Sequence, residues 1–405
     1  MSLFTGQLYP KRALGFLALG ASLHDILTRL KAEPTRFPQL ELVYSRETPI
    51  DEPVTVNLPA NGIRLRFDGA QQRLRLIEVL DFSRNHITFN DRDLVRPATA
   101  APAAAFTFKL SASAYSPDKD VVSLLSAVPN QTATSMAVFD GPSWAEARPT
   151  LWTATLPSIK SNPAIPRSKD VPADEISLVR IHGGGAIQLF HQSSLMTGSE
   201  DTNDEEAVEE DSPGHVSGEC FYNYFYLGFD VLVSTPTTPS RRPPGYNRDG
   251  TVPEKRFTSA SPDKLVATKL VLHGNLPGSY EFNRHRRCCW DIAYLEDPAS
   301  ETLAPNSEAK FTEIEEALNE RWKSLYPEGE SEGRQRGMVL NRGWGDSPGS
   351  SCELLGGWED SSATAAANLP KGADGSDDAT TTLFGFPGLV FEVLRNGHVN
   401  TVTVF

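Results

Sequence analysis

The 405-residue chain is 39% hydrophobic and 9% aromatic, enough apolar side chain to build cores for two or three domain-sized units. Its 52 acidic residues against 38 Lys and Arg give a formal charge of −14, which argues against nonspecific nucleic-acid binding. Four cysteines without a CxxC pair argue against a zinc ribbon or a disulfide framework and point to a reducing compartment.

The N-terminus carries Lys11 and Arg12 and a short apolar run that ends at His24 and Asp25, so a folded strand is expected there rather than a signal peptide. No apolar stretch of the sequence approaches the ~20 residues needed to span a bilayer, and a soluble or peripheral protein is expected. Ser22 is placed as an N-cap, followed by Leu23, Ile26, Leu27 and Leu30 on one helical face. Alternation then appears at Ile63, Leu65 and Phe67, a turn at Asp68–Gly69, and alternation again at Leu74 and Leu76, which predicts a β-hairpin over 62–80. The segment 96–198 is looser, and the acidic run Ser199–Gly214 has no apolar periodicity and reads as disordered.

The stretch CFYNYFYLGFDVLVS, Cys220–Ser234, concentrates aromatic residues. As one strand it places Phe221, Asn223 and Phe225 on one face and Tyr222, Tyr224 and Tyr226 on the other, and a central strand clad on both faces is expected. A membrane-facing belt and a nucleic-acid stacking platform are the rival readings, the latter disfavoured by acidic flanks. The return strand is Lys264–Gly274, across a loop over 235–263 rich in Pro, Gly, Ser and Thr. Phe311, Ile314, Leu318, Trp322 and Leu325 predict a second amphipathic helix, and Asn396–Gly397 between alternating residues predicts a C-terminal hairpin over 388–405. The pattern describes a β-rich α+β protein of about three repeated helix-plus-antiparallel-hairpin units with disordered loop insertions. The boundaries are 12–95, a middle β-rich segment 96–198, an acidic insertion 199–219, a second unit 220–298 and a third 305–405.

Several segments resemble the phagophore assembly factor 1 family: FYNYFYLGFDVLVS, TKLVLHGNLPGSYEFNRHRRC, LVYSRETPIDEPVTVNLPANGIRLRFDGAQQRLRLIEV and FGFPGLVFEVLRNGHVNTVTVF. The motif positions are Asn223, Tyr224, Phe225, Gly228, His273, Asn275, Pro277, Gly278, Phe391, Glu392 and Val393. The second unit departs from the family by lacking the helix that precedes its aromatic strand. The resemblance implies a non-enzymatic scaffold or adaptor, cytoplasmic and at the phagophore assembly site, with older labels placing relatives at the trans-Golgi. It implies a β-propeller partner of the breast carcinoma amplified sequence 3 type, indirect contact with phosphoinositide membranes, and no cofactor. A trans-Golgi trafficking adaptor and a stand-alone lipid-binding module are the alternatives. Arg241, Arg242, Arg248, Lys255 and Arg256 concentrate positive charge in the 235–263 loop and are candidates for lipid contact.

An esterase reading has its own motifs. His182–Gly185 spells HGGG, Ser347 sits in a GDSPG sequence, Asp374, Asp377 and Asp378 follow, and His398 comes last. Pro348 and the poorly helical residues after Ser347 argue against a nucleophile elbow, and His398 stands in a tight turn. No catalytic residue is therefore assigned. The scattered histidines lack ligand spacing, no metal site is expected, and His273 and His285 are read as structural hydrogen-bonding groups around the Asn275–Gly278 turn.

Overall fold

The computed structural model describes residues 4–95, 135–140, 147–152, 176–183, 187–191, 219–234, 266–296, 303–325, 337–341, 351–354 and 380–405. The N-terminal part contains β1 (Phe4–Tyr9), β2 (Ala13–Leu14), β3 (Leu17–Ala18), helix α1 (Leu23–Ala32), β4 (Glu41–Val43), β5 (Val54–Leu58), β6 (Ile63–Phe67), β7 (Leu74–Val79), β8 (Asn85–Phe89), β9 (Arg92–Val95) and β10 (Met136–Phe139). They form two five-stranded sheets, ordered β3-β2-β1-β8-β9 and β10-β7-β6-β5-β4. Helix α1 starts where expected: the Ser22 hydroxyl accepts a hydrogen bond from the Asp25 amide at 3.1 Å, satisfying a donor that the first helical turn cannot. Leu23, Ile26, Leu27 and Leu30 are buried and join Phe4, Leu14, Val56, Leu65 and Ile77 in one core. The 62–80 hairpin forms with Leu65 opposite Ile77; β6 alternates as expected, but a register shift at Arg66–Phe67 puts Ile77 rather than Leu76 in the core beside Leu65, and Leu74 through Ile77 are all buried.

The C-terminal part contains β11 (Ile176–Ile181), β12 (Ile187–His191), β13 (Glu219–Tyr224), β14 (Phe229–Ser234), β15 (Val266–His273), β16 (Trp290–Ile292), helix α2 (Phe311–Trp322), β17 (Met338–Asn341), β18 (Ser351–Leu354), β19 (Thr380–Phe386), β20 (Leu389–Leu394) and β21 (Val399–Val404). Strands β12-β11-β16 make a three-stranded sheet, and the other eight order as β13-β14-β15-β21-β20-β19-β17-β18. A second core joins Val179, Trp290, Phe311, Ile314, Leu318 and Phe391.

The β-rich, largely antiparallel α+β class is as expected, with two α-helices among the described residues. The threefold repetition is not reproduced. The second and third hairpins merge, because the free edge of β15 pairs with β21 with Leu272 opposite Val402, so both belong to one sheet. The residues directly before β13, 192–218, lie outside the described residues. Helix α2 ends at Trp322, and Leu325, expected on its buried face, stands 59% exposed in the 3-10 turn that follows.

The aromatic run also differs from expectation. It is a strand and a turn, not one strand. Gly228 takes φ +87° and the chain reverses over 225–228, so that Tyr224 pairs with Phe229. Strand β13 then lies at the end of the eight-stranded order, where no layer covers it among the described residues. Phe221, Tyr222, Tyr224 and Phe225 are 50%, 45%, 44% and 38% exposed.

Candidate functional site

The Gly228 turn brings β14 under the segment that follows β15. Gly228 has no room for a side chain, since a Cβ there would stand 2.5 Å from the Arg286 carbonyl. The Arg286 amide donates to the Phe225 carbonyl at 2.8 Å, and the His273 amide donates to the Gly228 carbonyl at 2.9 Å. These bonds align three ionisable side chains that are distant in sequence. His273 Nε2 donates to Asp230 Oδ2 at 3.0 Å, and His285 Nε2 donates to Asp230 Oδ1 at 2.9 Å. The two imidazoles are stacked, with centroids 3.7 Å apart and planes 3° from parallel, and Phe225 packs on the far side of His285 at 4.8 Å.

Burial works to raise the Asp230 carboxyl, but the two histidine hydrogen bonds and charges outweigh it and hold the group well below the usual carboxylate range. Burial lowers His285, and the neighbouring His273 charge acts in the same direction against Asp230. An ionised carboxylate only accepts hydrogen bonds, so the single proton of neutral His285 sits on Nε2 and its Nδ1 presents a lone pair. That buried Nδ1 has no hydrogen-bond partner, and neither does the buried Ser279 hydroxyl. A small cavity of about 10 Å³ is lined by His273, Ser279, Glu281 and His285, with Asn275, Asn400 and Thr401. Glu281 Oε2 lies 3.6 Å from His273 Nδ1.

The remaining motif residues hold this region together. Asn275, at φ +48°, accepts the Asn283 amide at 2.6 Å on its side-chain oxygen, which shapes the turn carrying Pro277 and Gly278. Gly278, at φ +90°, packs against the Tyr44 hydroxyl. Phe391 is fully buried, Val393 nearly so, and the Glu392 carboxylate accepts from Thr381 Oγ1 at 2.8 Å and Thr401 Oγ1 at 2.9 Å, linking β20 to both neighbouring strands. Asn223 and Tyr224 lie on the exposed β13 and Phe225 on the turn after it, outside this arrangement except through the Phe225 ring.

Histidines 273 and 285 do make hydrogen bonds beside the Asn275–Gly278 turn, but their partner is Asp230 on a neighbouring strand, which sequence reading missed. A carboxylate between Phe229 and Val231 in an otherwise apolar strand is the signal that could have found it. Among the described residues, these three are a group whose ligand atoms all fall within 4.8 Å of one another. The cationic residues Arg241, Arg242, Arg248, Lys255 and Arg256, and the esterase candidates Ser347, Asp374, Asp377 and Asp378, lie outside the described residues. His182 is half-buried beside Gln188, 3.4 Å away. His398 is buried in the β20–β21 turn, and neither ring nitrogen has a hydrogen-bond partner.

The phagosome assembly factor 1 family model matches residues 14–121 and 262–405, well over half of the chain. It leaves 122–261 unmatched, including the aromatic strand on which the sequence resemblance partly rested. A PHAF1 protein of Arabidopsis thaliana is 20% identical over 98% of this chain and 92% of its own length. A PHAF1 protein of Drosophila melanogaster is 20% identical over 98% of this chain and 93% of its own. A PHAF1 protein of Caenorhabditis elegans is 33% identical, over 18% of this chain and 17% of its own. No solved structure matches. The two matched segments are those that carry the His273 turn and the core of both halves, and the chain belongs to the phagosome assembly factor 1 family.

Proposed function

We propose that this chain is a non-enzymatic adaptor in autophagosome formation, recruited to phagophore membranes together with a phosphoinositide-binding β-propeller of the breast carcinoma amplified sequence 3 type. Family membership supports the assembly role. The observation that carries the adaptor reading is β13, which ends the eight-stranded sheet and, with the turn after it, exposes four large aromatic side chains. An edge strand offers unpaired backbone donors and acceptors to an added strand, and exposed Phe and Tyr supply the large rigid contact area that interfaces favour. Propeller blades are four-stranded sheets with edges of their own, a geometry suited to such pairing.

The test is affinity purification of the full chain from its native cell with mass spectrometry. A β-propeller protein should be recovered, and Phe221→Ser with Tyr224→Ser should reduce its recovery at least tenfold while thermal unfolding stays unchanged. Undiminished recovery removes β13 from the mechanism. Recovery of trans-Golgi proteins without a propeller overturns the reading.

A further inference from the structure

We infer that His273, His285 and Glu281 form a binding site for a divalent transition cation of the zinc type, with Asp230 as the group that orients both imidazoles. The geometry around Asp230 carries the argument. Asp230 accepts a hydrogen bond from Nε2 of each ring, one on each oxygen, at 3.0 and 2.9 Å. The Nδ1 atoms of both rings are thereby turned away from Asp230. A carboxylate that binds the far N–H of a histidine is the usual outer support of a metal-ligating imidazole, fixing ring orientation and raising its basicity.

What lies on the Nδ1 side fits a cation. The lining of the 10 Å³ cavity, about the space of one water or ion, includes both histidines, the Glu281 carboxylate and the Ser279 hydroxyl. His285 is 2% exposed and Ser279 6%, yet Nδ1 of the first and Oγ of the second have no partner. Unpaired buried polar atoms of this kind are costly, and a bound ion or its water would satisfy them. Two ligands about 2.1 Å from a tetrahedral ion stand roughly 3.4 Å apart. The 3.6 Å between Glu281 Oε2 and His273 Nδ1 is close to that spacing. The near-parallel stack brings the rings to 3.7 Å, so ligation requires them to splay while each keeps its own Asp230 oxygen. Two imidazoles, a carboxylate and a hydroxyl or water make a borderline donor set that suits zinc better than calcium or magnesium.

The experiment uses the full-length chain, stripped with chelator and titrated with Zn²⁺ against a chromophoric competitor, then with Co²⁺ for its visible spectrum. One ion per chain is expected, with the d–d bands of a four- or five-coordinate site and no thiolate charge-transfer band. Glu281→Gln should weaken Zn²⁺ at least tenfold, and Asp230→Asn, which removes no ligand, should weaken it tenfold to a hundredfold. A double Cys288→Ser, Cys289→Ser variant should bind as the wild type does. Each variant is checked for folding by thermal unfolding of the metal-free chain. If Asp230→Asn does not fold, the comparison rests on Glu281→Gln, whose half-buried carboxylate belongs to neither core. No stoichiometric binding to the wild type, unchanged binding in folded Glu281→Gln, or a thiolate band lost with the cysteines would each overturn the proposal.

Discussion

Gln72 and Asn275 stand 203 positions apart and exchange two hydrogen bonds: Gln72 Nε2 donates to the Asn275 carbonyl at 2.7 Å, and Asn275 Nδ2 donates to Gln72 Oε1 at 2.8 Å. Both are buried, and both hold left-handed backbone at φ +55° and +48°. The pair joins the turn of the N-terminal hairpin to the turn that shapes the histidine cavity. Gln72→Ala leaves the Asn275 amide without its partner, and a loss of about 1–3 kcal/mol is expected in urea unfolding. A double-mutant cycle with Asn275→Gly should return a coupling of at least about 0.5 kcal/mol; additivity would show that the two bonds are not shared.

A second tie between the halves is ionic. Arg286 Nη2 pairs with Asp25 Oδ2, and both side chains are largely buried. Burial acts to raise the Asp25 carboxyl, but His24, Arg286 and Ser22 outweigh it and hold the group below its ordinary 3.8. Because the folded value is the lower one, this stabilisation is complete above the ordinary value and fades as the pH falls below it. Arg286→Met should cost about 3–5 kcal/mol at neutral pH, since it strands a buried carboxylate. The deficit should shrink toward pH 3. A pH-independent difference would mean that Arg286 acts through packing alone.

His398 predicts pH dependence of the opposite kind of group. Burial, then the charges of Lys310 and Arg287, push it down to about 4 from 6.5. The unfolded chain takes up a proton near pH 6.5 while the folded chain refuses it until about 4. Stability should therefore fall as the pH drops through that window, by up to about 3 kcal/mol in total, and the His398 contribution should level off below it. His398→Leu should flatten the profile between pH 6.5 and 4. His285, lowered for the same reason, contributes in the same direction, so some slope should remain. A profile identical to wild type would mean that His398 titrates normally.

The Gly228 turn makes a prediction about two neighbouring residues. At φ +87° and 2.5 Å from the Arg286 carbonyl, position 228 has no space for a methyl group. Gly228→Ala should cost more than about 2 kcal/mol, from backbone strain and displacement together. Phe225→Ala removes a ring that is already 38% exposed, and should cost below about 2 kcal/mol. Chemical denaturation of both variants orders them; the reverse order would place the ring, rather than the turn, at the centre of this region.

Local features were legible in the sequence. Helix α1 was readable because Leu23, Ile26, Leu27 and Leu30 share a face behind an Ser22 cap, and the C-terminal hairpin because Asn396–Gly397 supplies its turn, with Gly397 at φ +80°. Pairings between distant segments were not. Strand β1 pairs in parallel with β8, placing Phe4 opposite Asn85, and β15 pairs with β21, neither of which leaves a periodic trace. The exposure of the aromatic strand was misread for the same reason, since alternation of rings says which face each takes but not whether anything covers that face. At the site, His273 and His285 were noticed and Asp230 was not. Their convergence depends on a glycine turn and on strand order, and 43 and 55 positions separate them from Asp230.

Arg287 gives the molecule a property that its chain connectivity does not. The buried guanidinium donates to the carbonyls of Ala70 at 2.5 Å, Gly274 at 2.8 Å and Ser307 at 3.0 Å, so one side chain rivets three separate stretches of backbone. A rivet of this kind holds whether or not the stretches remain covalently joined. Cleavage at an engineered protease site within 235–263 should thus yield two fragments that elute together and melt in a single transition. Arg287→Met should lower the temperature of that transition, while the β14–β15 pairing still holds the two fragments together.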